Sequence, residues 1–364
     1  MIHRVVFPLA IALAVSACSG DGTNPFDDDT TTDDTTTDDD GTTIDDRGLP
    51  PGTTSPSPNT SITRSEAETE TGGGTALNYE YRNDSGQDEF YVDNLPFDAD
   101  NVYSRGTAVS SLGTAGSYAV YESAPTTTDP STGTTVSTMT YRAIYGKSTS
   151  GQTQFAIVRS ASYSDYGFGG FIYKRNATDS NGDAVSLVVP TCSGECTAQY
   201  TGDYAGIRVF SGSGGLEYTQ GDAEMYIDFE DFNDGQSGVA LYVYNRRIYD
   251  ISGNDVTAAY MTALEAVDDS TTITNTGGGA YMPALRSVIS PDNADANGEI
   301  VGSILSDVRN SDGTVTELES GNYYAILSGQ NAEEVVGVLV VESEDPRIDG
   351  VTAQETGGFI LYRQ

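Results

Sequence analysis

The chain carries little of the equipment used for proton or group transfer. Its 364 residues include one histidine, His3, and three cysteines, Cys18, Cys192 and Cys196. His3 lies in an N-terminal segment expected to be removed, which leaves a mature chain without histidine. That excludes a Ser-His-Asp or Cys-His nucleophile, a histidine-ligated zinc site and a histidine-ligated haem. Cys192 and Cys196 stand in the run TCSGEC. Two thiols cannot build a four-cysteine metal site, and in an exported protein this spacing points to a small disulfide across Ser193-Gly194-Glu195. The alternative is a redox pair, which usually takes the tighter Cys-x-x-Cys form beside a helix start.

Carboxylates are the remaining chemistry. Asp228, Glu230 and Asp231 are close in sequence and would suit a carboxylate-only hydrolase of the glycosidase kind, although neighbours on a strand face opposite ways. Asp179-Ser180-Asn181-Gly182-Asp183 and Asn293–Ile300, which contains Asp295, open like calcium loops. Both lack the full ligand pattern; the twelfth position of the second is Ile304 where a glutamate is required. Both read as turns. The expectation is a protein with no catalytic residue, no metal site and no cofactor.

The N-terminus has its own chemistry. His3 and Arg4 precede an apolar run, Val5 to Val15, that is about as long as a signal h-region and too short to span a bilayer. Val15-Ser16-Ala17-Cys18 resembles the bacterial lipobox, in which the cysteine becomes the N-terminus and carries lipid. This makes 1–17 a lipoprotein signal peptide and Cys18 the lipidated, palmitate-bearing residue. Ser19 follows where an aspartate would signal inner-membrane retention, so the resemblance favours the outer membrane, at its periplasmic face or on the cell surface. Each acyl methylene buried adds about 0.8 kcal/mol to anchoring.

Residues 18–74 read as an acidic Thr/Asp/Pro tether. Asp21 through Asp46 holds eleven Asp and neither Lys nor Arg, within a chain of formal net charge −37. Low hydrophobicity and high charge predict a disordered, self-repelling spacer. So acidic a chain repels nucleic acid and anionic headgroups; no nucleic-acid partner is expected.

The remainder predicts an all-β fold with recurrent short strands and polar turns. Residues 75–197 read as an irregular, handle-like sheet, with strands expected at Leu77–Arg82, Asp88–Val92, Ser117–Glu122, Thr138–Tyr145, Gln154–Val158, Gly169–Lys174 and Val185–Val189, and a loop at Thr126–Thr135. Residues 198–364 predict eight antiparallel strands, enough for a small closed barrel: Ala198–Val209, Ala223–Phe229, Val239–Arg246, Ala280–Ile289, Glu299–Ser306, Tyr323–Leu327, Val335–Val341 and Gly358–Arg363. Alternation is clear in Met225, Ile227, Phe229 and in Val239, Leu241, Val243. One short helix, Val256–Val267, is expected to cover a barrel mouth.

The closing residues carry a family resemblance. An aromatic strand leads into Gly329-Gln330-Asn331-Ala332-Glu333-Glu334, then a Val-rich strand with Gly337, a loop, and Gly357-Gly358-Phe359 before a terminal Arg363. This order resembles the end of the β-barrel of transferrin-binding protein B and its relatives, which are bacterial surface lipoproteins. Gln330 stands where that family has proline, and Val338-Leu339 replaces its aromatic. Tyr200-Thr201-Gly202-Asp203-Tyr204 resembles the family's first barrel strand, and Asp222 through Phe229 its second. Within the chain, GGFIYKR at Gly169–Arg175 resembles GGFILYR at Gly357–Arg363. The resemblance implies a handle and a barrel that bind a protein partner without catalysis. Tyr-, Ser- and Gly-rich loops suit such contacts; Tyr163, Tyr166 and Tyr218 are the tyrosines singled out, with sheet packing as their alternative role. Against this stands a lipocalin-like carrier with a hollow barrel.

Overall fold

The computed structural model describes residues 48–68, 74–76, 78–83, 88–97, 101–161, 166–191, 196–230, 232, 238–267, 281–291, 293–309 and 313–364. Cys18, Tyr163, Cys192 and Asp231 lie outside them.

The architecture is all-β. In chain order the first strands are β1 (Ile62–Ser65), β2 (Tyr79–Arg82), β3 (Glu89–Val92), β4 (Val102–Arg105), β5 (Ser111–Leu112), β6 (Tyr118–Ser123), β7 (Thr126–Thr128), β8 (Thr135–Ser137), β9 (Tyr141–Lys147), β10 (Thr153–Ser160) and β11 (Gly169–Arg175). All but β7 and β8 form one antiparallel sheet in the order β1-β11-β10-β9-β6-β4-β3-β2, with β5 beside β6. Next come β12 (Thr197–Ser211), β13 (Leu216–Asp228), β14 (Val239–Asp250), helix α1 (Thr257–Val267), β15 (Leu285–Ser287), β16 (Glu299–Arg309), β17 (Val315–Ser328), β18 (Glu334–Glu344) and β19 (Thr352–Arg363). These eight strands close into an antiparallel barrel, β19 pairing with both β18 and β12. α1 is the one α-helix among the described residues, and no described helix is long and apolar enough to cross a membrane.

Strand patterning follows what each face meets. In β18 and β19 the apolar runs VVGVLVV and GGFILY are continuous, because both faces are buried. Val335, Leu339, Phe359 and Leu361 point into the barrel core, whereas Val336, Val338 and Ile360 meet the sheet. There they pack with Ile62, Tyr118, Phe155, Ile157 and Phe171. In β13, by contrast, Met225 and Ile227 turn inward while the Glu224 and Tyr226 side chains face water. The sheet's other face curls over its own core, in which Tyr79 stacks on Phe90 at 5.4 Å and Phe90 on Tyr121 at 5.3 Å.

Polar contacts pin the sheet to the barrel. Arg64 forks onto Glu299 at 2.7 and 2.8 Å. Arg159 donates to the Thr356 hydroxyl at 2.7 Å, and Thr153 to Glu334 at 2.7 Å. The Ile360 amide donates to the Tyr118 hydroxyl at 2.9 Å, which donates in turn to the Asp203 carbonyl at 2.6 Å. Arg175 is fully buried and donates to the carbonyls of Ser57, Thr60, Asn297 and Leu327. Burial pulls its guanidinium down to about 10, against the opposing charges of Glu299 and Asp295.

Glycines make room for rings at these contacts. A Cβ at Gly357 would stand 2.0 Å from the Tyr204 hydroxyl oxygen, one at Gly358 2.3 Å from the Phe155 ring, and one at Gly337 2.3 Å from the Phe359 ring. Tyr204 is held by its own hydrogen bond to Glu355 at 2.6 Å and cannot give way freely. Gly357→Ala is therefore expected to destabilise the fold by about 1–3 kcal/mol, the usual cost of overpacking; a melting temperature equal to that of the parent chain would show that the ring relocates.

Several expectations need correction. The tether does not extend to residue 74: β1 pairs with β11 in register, Ile62 is fully buried, and Arg64 sits in the seam with the barrel. The Ser/Pro/Thr composition around it hid a four-residue strand whose stability comes from β11. Val185–Val189 is not a strand. It crosses the barrel end, Leu187 bonding Pro58 and Val188 bonding Gly329, and inserts Leu187 into the barrel core. The Thr126–Thr135 loop contains the β7–β8 hairpin, and β4 was not anticipated. The eight barrel strands occur in their expected order, and most are longer than the apolar runs that signalled them.

Candidate functional site

The barrel interior is filled. At the end near Leu187 the filling is apolar, with Tyr200, Met225, Leu241, Tyr323, Leu339 and Phe359 in one cluster. Toward the other end it becomes ionic. Arg246 donates both guanidinium arms to Glu319 at 2.7 and 2.9 Å and also reaches Glu355 at 2.9 Å. Tyr204 and Thr219 donate to Glu355 at 2.6 and 2.9 Å, and Ser306 to Glu319 at 2.6 Å. Burial pushes the Glu319 carboxyl up, but the adjoining Arg246 charge and hydrogen bonds outweigh it and hold the group below its ordinary range. Burial and the Glu355 charge push the Tyr204 phenol far up, so it stays a donor.

A backbone irregularity puts Arg246 there. Val239, Leu241 and Val243 point inward; continued alternation would send residues 245 and 247 in as well. Asn245 instead adopts φ +53°, and the β13–β14 register shifts between Gln220 and Asp222. Such a bulge resets which side chains face the core, and Arg246 and Ile248 turn in.

Helix α1 covers this end. The Asp255 carboxylate accepts the Thr257 amide at 2.9 Å at its start, and Tyr260, Met261 and Leu264 pack on Ile248 and Met282. Two arginines stand over the Tyr260 ring, Arg208 at 4.9 Å and Arg347 at 5.4 Å from its centroid. Arg208 is almost wholly buried, 3.7–3.9 Å from Glu217, Asp345 and Glu355. Arg347 forks onto Glu217 at 2.6 and 2.9 Å and binds Asp345 at 2.6 Å.

Outside this layer a cleft of about 520 Å³ opens between the sheet and the barrel loops. Its walls are Phe210, Leu216, Ile251 and Ile348 from the barrel and Thr140, Arg142 and Ala161 from the sheet, with Glu217, Asp345 and Arg347 lining it as well. Ile251 and Ile348 are 48% and 49% exposed at its rim. The loop carrying Ser213, Gly214 and Gly215, just before Tyr218 in the chain, forms part of the wall. Tyr218 itself is buried in the seam between sheet and barrel, where it packs. Tyr166 is half-buried, its hydroxyl 2.8 Å from that of Thr352. Cys196 packs against the barrel core.

The other sequence candidates are used locally. The Asp228 carboxylate accepts the Glu230 amide at 3.0 Å and so closes a turn. Asp179 accepts the amides of Asn181 and Asp183, and Asp295 those of Asn297 and Glu299, as in turns built on an aspartate side chain. Among the described residues no group of three or more His, Cys, Asp or Glu side chains is arranged to hold a metal ion. Sequence reading missed Arg208, Arg246, Glu319 and Glu355, and also Ile251, Arg347 and Ile348. Of the first group only Arg208 carried a signal, a lone charge inside the apolar run AGIRVF, whereas Arg246, Glu319 and Glu355 stand among other polar residues; for Ile251 and Ile348 it was a lone isoleucine among turn residues.

Fold and site together define a class: an all-β protein in which a curled open sheet packs on a filled eight-stranded barrel, with a cleft at the helix-covered end. No family model matches the chain, and no curated protein matches it. Among solved structures the chain is similar to a point mutant of Transferrin Binding Protein B from Haemophilus parasuis Hp5, at 10% identity and a TM-score of 0.31, over 79% of this chain and 53% of that one. A double mutant of the same protein gives 9% identity and a TM-score of 0.29, over 84% and 60%. The chain thus spans little more than half the length of those structures. Likeness at this level assigns neither family nor function.

Proposed function

We propose that this chain is a lipid-anchored protein of the bacterial outer membrane that binds a macromolecular partner without catalysis, with the cleft at the helix-covered barrel end as its contact site. The observation that carries the reading is the filled barrel. An interior occupied by Tyr200, Tyr323, Phe359 and the Arg246–Glu319–Glu355 cluster leaves the outer surfaces and loops to do the binding, and it disfavours the lipocalin-like alternative. The cleft supports the reading further, because turns at the strand ends hold the apolar Ile251 and Ile348 exposed at its rim. The anchor rests on the sequence around Cys18. The Cys192–Cys196 disulfide belongs to the same proposal, since export favours it.

Two measurements test this. Cys18→Ala is expected to abolish acyl labelling and move the protein out of the detergent phase; continued partitioning into detergent would defeat the anchor. A photo-crosslinking residue at Ile348 is expected to capture a partner on intact cells far more efficiently than one at Val288, which is 40% exposed and does not line the cleft. Equal yields would place the contact elsewhere.

A further inference from the structure

The outer face of β12–β14 is a second surface, sharing no lining residue with the cleft. Register stacks its side chains in rungs: Asp203 opposite Asp222 opposite Tyr244, then Thr201 opposite Glu224 opposite Tyr242. Tyr226 extends the row, its ring 6.4 Å from that of Tyr242 and nearly perpendicular to it. Tyr226 and Tyr242 are 36% and 39% exposed. A groove of about 460 Å³ opens at the end of this face that carries Asp203, Asp222 and Tyr244, bounded on the sheet side by Ser117 and Lys147. Like charges directly opposite across a ladder are destabilising. Even so, among the described residues none of Asp203, Asp222 and Glu224 pairs with an arginine or lysine, whereas carboxylates at the barrel end and in the sheet do.

The same chain shows what completes such a face. On β3 the Tyr91 hydroxyl donates to Glu89 at 2.8 Å, and Arg82, paired with Glu80 at 2.7 Å, lies 4.0 Å from the Tyr91 ring centroid. On β13 the Tyr226 hydroxyl donates to Glu224 at 2.6 Å in the same Glu-x-Tyr spacing, and no described cation covers either Tyr226 or Tyr242. We propose that this face docks a basic segment of a partner protein, with an arginine standing over the Tyr226 and Tyr242 rings and Glu224 as its counter-charge. The neighbouring Asp203 and Asp222 extend the complementarity to a second cation. Cations over tyrosine faces beside carboxylates are a recurrent recognition pattern, and a chain of net charge −37 draws basic partners to its surface. The hydrogen bond to Glu224 pushes the Tyr226 phenol up, which keeps it protonated and in place.

The test uses the full-length chain in detergent and a fluorescein-labelled arginine-rich decapeptide, followed by anisotropy at fixed salt. Tyr226→Ala and Tyr242→Ala leave the net charge unchanged and are each expected to weaken binding about tenfold, whereas Tyr242→Phe, which keeps the ring, stays within about twofold of the parent. Glu224→Gln is expected to weaken it as the alanine variants do, and neutralising the exposed Glu344 and Asp349 together to change it by less than about twofold. Equal losses from Glu224→Gln and from the Glu344/Asp349 pair would reduce the effect to adsorption on net charge and overturn the proposal. So would unaltered binding by Tyr242→Ala, or a face that binds maltohexaose and not the peptide. Each of these results leaves the cleft crosslink at Ile348 untouched, so the two readings fail separately.

Discussion

Removing Gly358–Gln364 is expected to abolish cooperative unfolding of the sheet and the barrel together. β19 pairs with β12 and β18 along nearly its whole length, so the truncation opens two edges and leaves rows of backbone donors and acceptors unpaired. It also takes Phe359 and Leu361 out of the barrel core and Ile360 out of the seam, where the Ile360 amide holds Tyr118. Each buried side chain of this size contributes about 1.5–3 kcal/mol, against a total of about 5–15 kcal/mol for a typical domain. The damage is not confined to residues 198–364. The seam extends it to the sheet, because Phe155 rests on Gly358. Calorimetry decides: a truncated chain with one cooperative transition near the intact temperature would make the final strand peripheral.

Arg246→Met should be the most damaging single substitution in the barrel. It leaves Glu319 and Glu355 buried without their shared cation, and breaking one side of a buried pair costs about 3–5 kcal/mol. The effect has a pH signature. In the parent chain the folded Glu319 carboxyl titrates below its unfolded value, so its contribution is present above about pH 4.3 and is lost as pH falls through the folded value. Without Arg246 only the Arg208 charge and the Ser306 hydroxyl oppose burial, so the folded value rises and the contribution of the carboxylate above about pH 4.3 shrinks. The gap between parent and variant is therefore expected to be widest at neutral pH and to shrink toward pH 4.5. Urea unfolding at both pH values measures it, and a gap independent of pH would remove Glu319 from the account. Arg246→Lys keeps the charge but not the two-pronged geometry, and is expected to fall between the two.

Both predictions rest on positions whose meaning the sequence carried unequally. The β19 run GGFILYR was legible as a terminal strand, because aromatic and β-branched residues between turn signals have few other uses. The eight barrel strands, their antiparallel order and the helix Thr257–Val267 were legible in the same way, from alternation, strand-length apolar runs and helical spacing. The presence of a single histidine, His3, likewise narrowed the chemistry to be expected. Local pattern determines these features, since period and turn chemistry act over a few residues.

What local pattern does not carry is which long-range partner a residue meets. Ile62 and Arg64 sit in a polar, Pro-rich stretch, and only pairing with Arg175 and Tyr173 of β11 and the reach to Glu299 make them structural. Tyr218 has the composition of a contact residue, yet the packing of sheet on barrel buries it. Arg246 belongs by alternation on the solvent side of β14. One residue with positive φ, Asn245, and a one-step register shift against β13 turn it inward onto Glu319 and Glu355. The cleft draws on Arg142, Leu216, Ile251 and Ile348, separated by up to about two hundred positions, and exists only where the closed barrel meets the curled sheet. Sequence by itself determined the barrel strands and their order. Tertiary structure decided the faces, because a strand's register, and with it the side it buries, is set by the neighbour it pairs with.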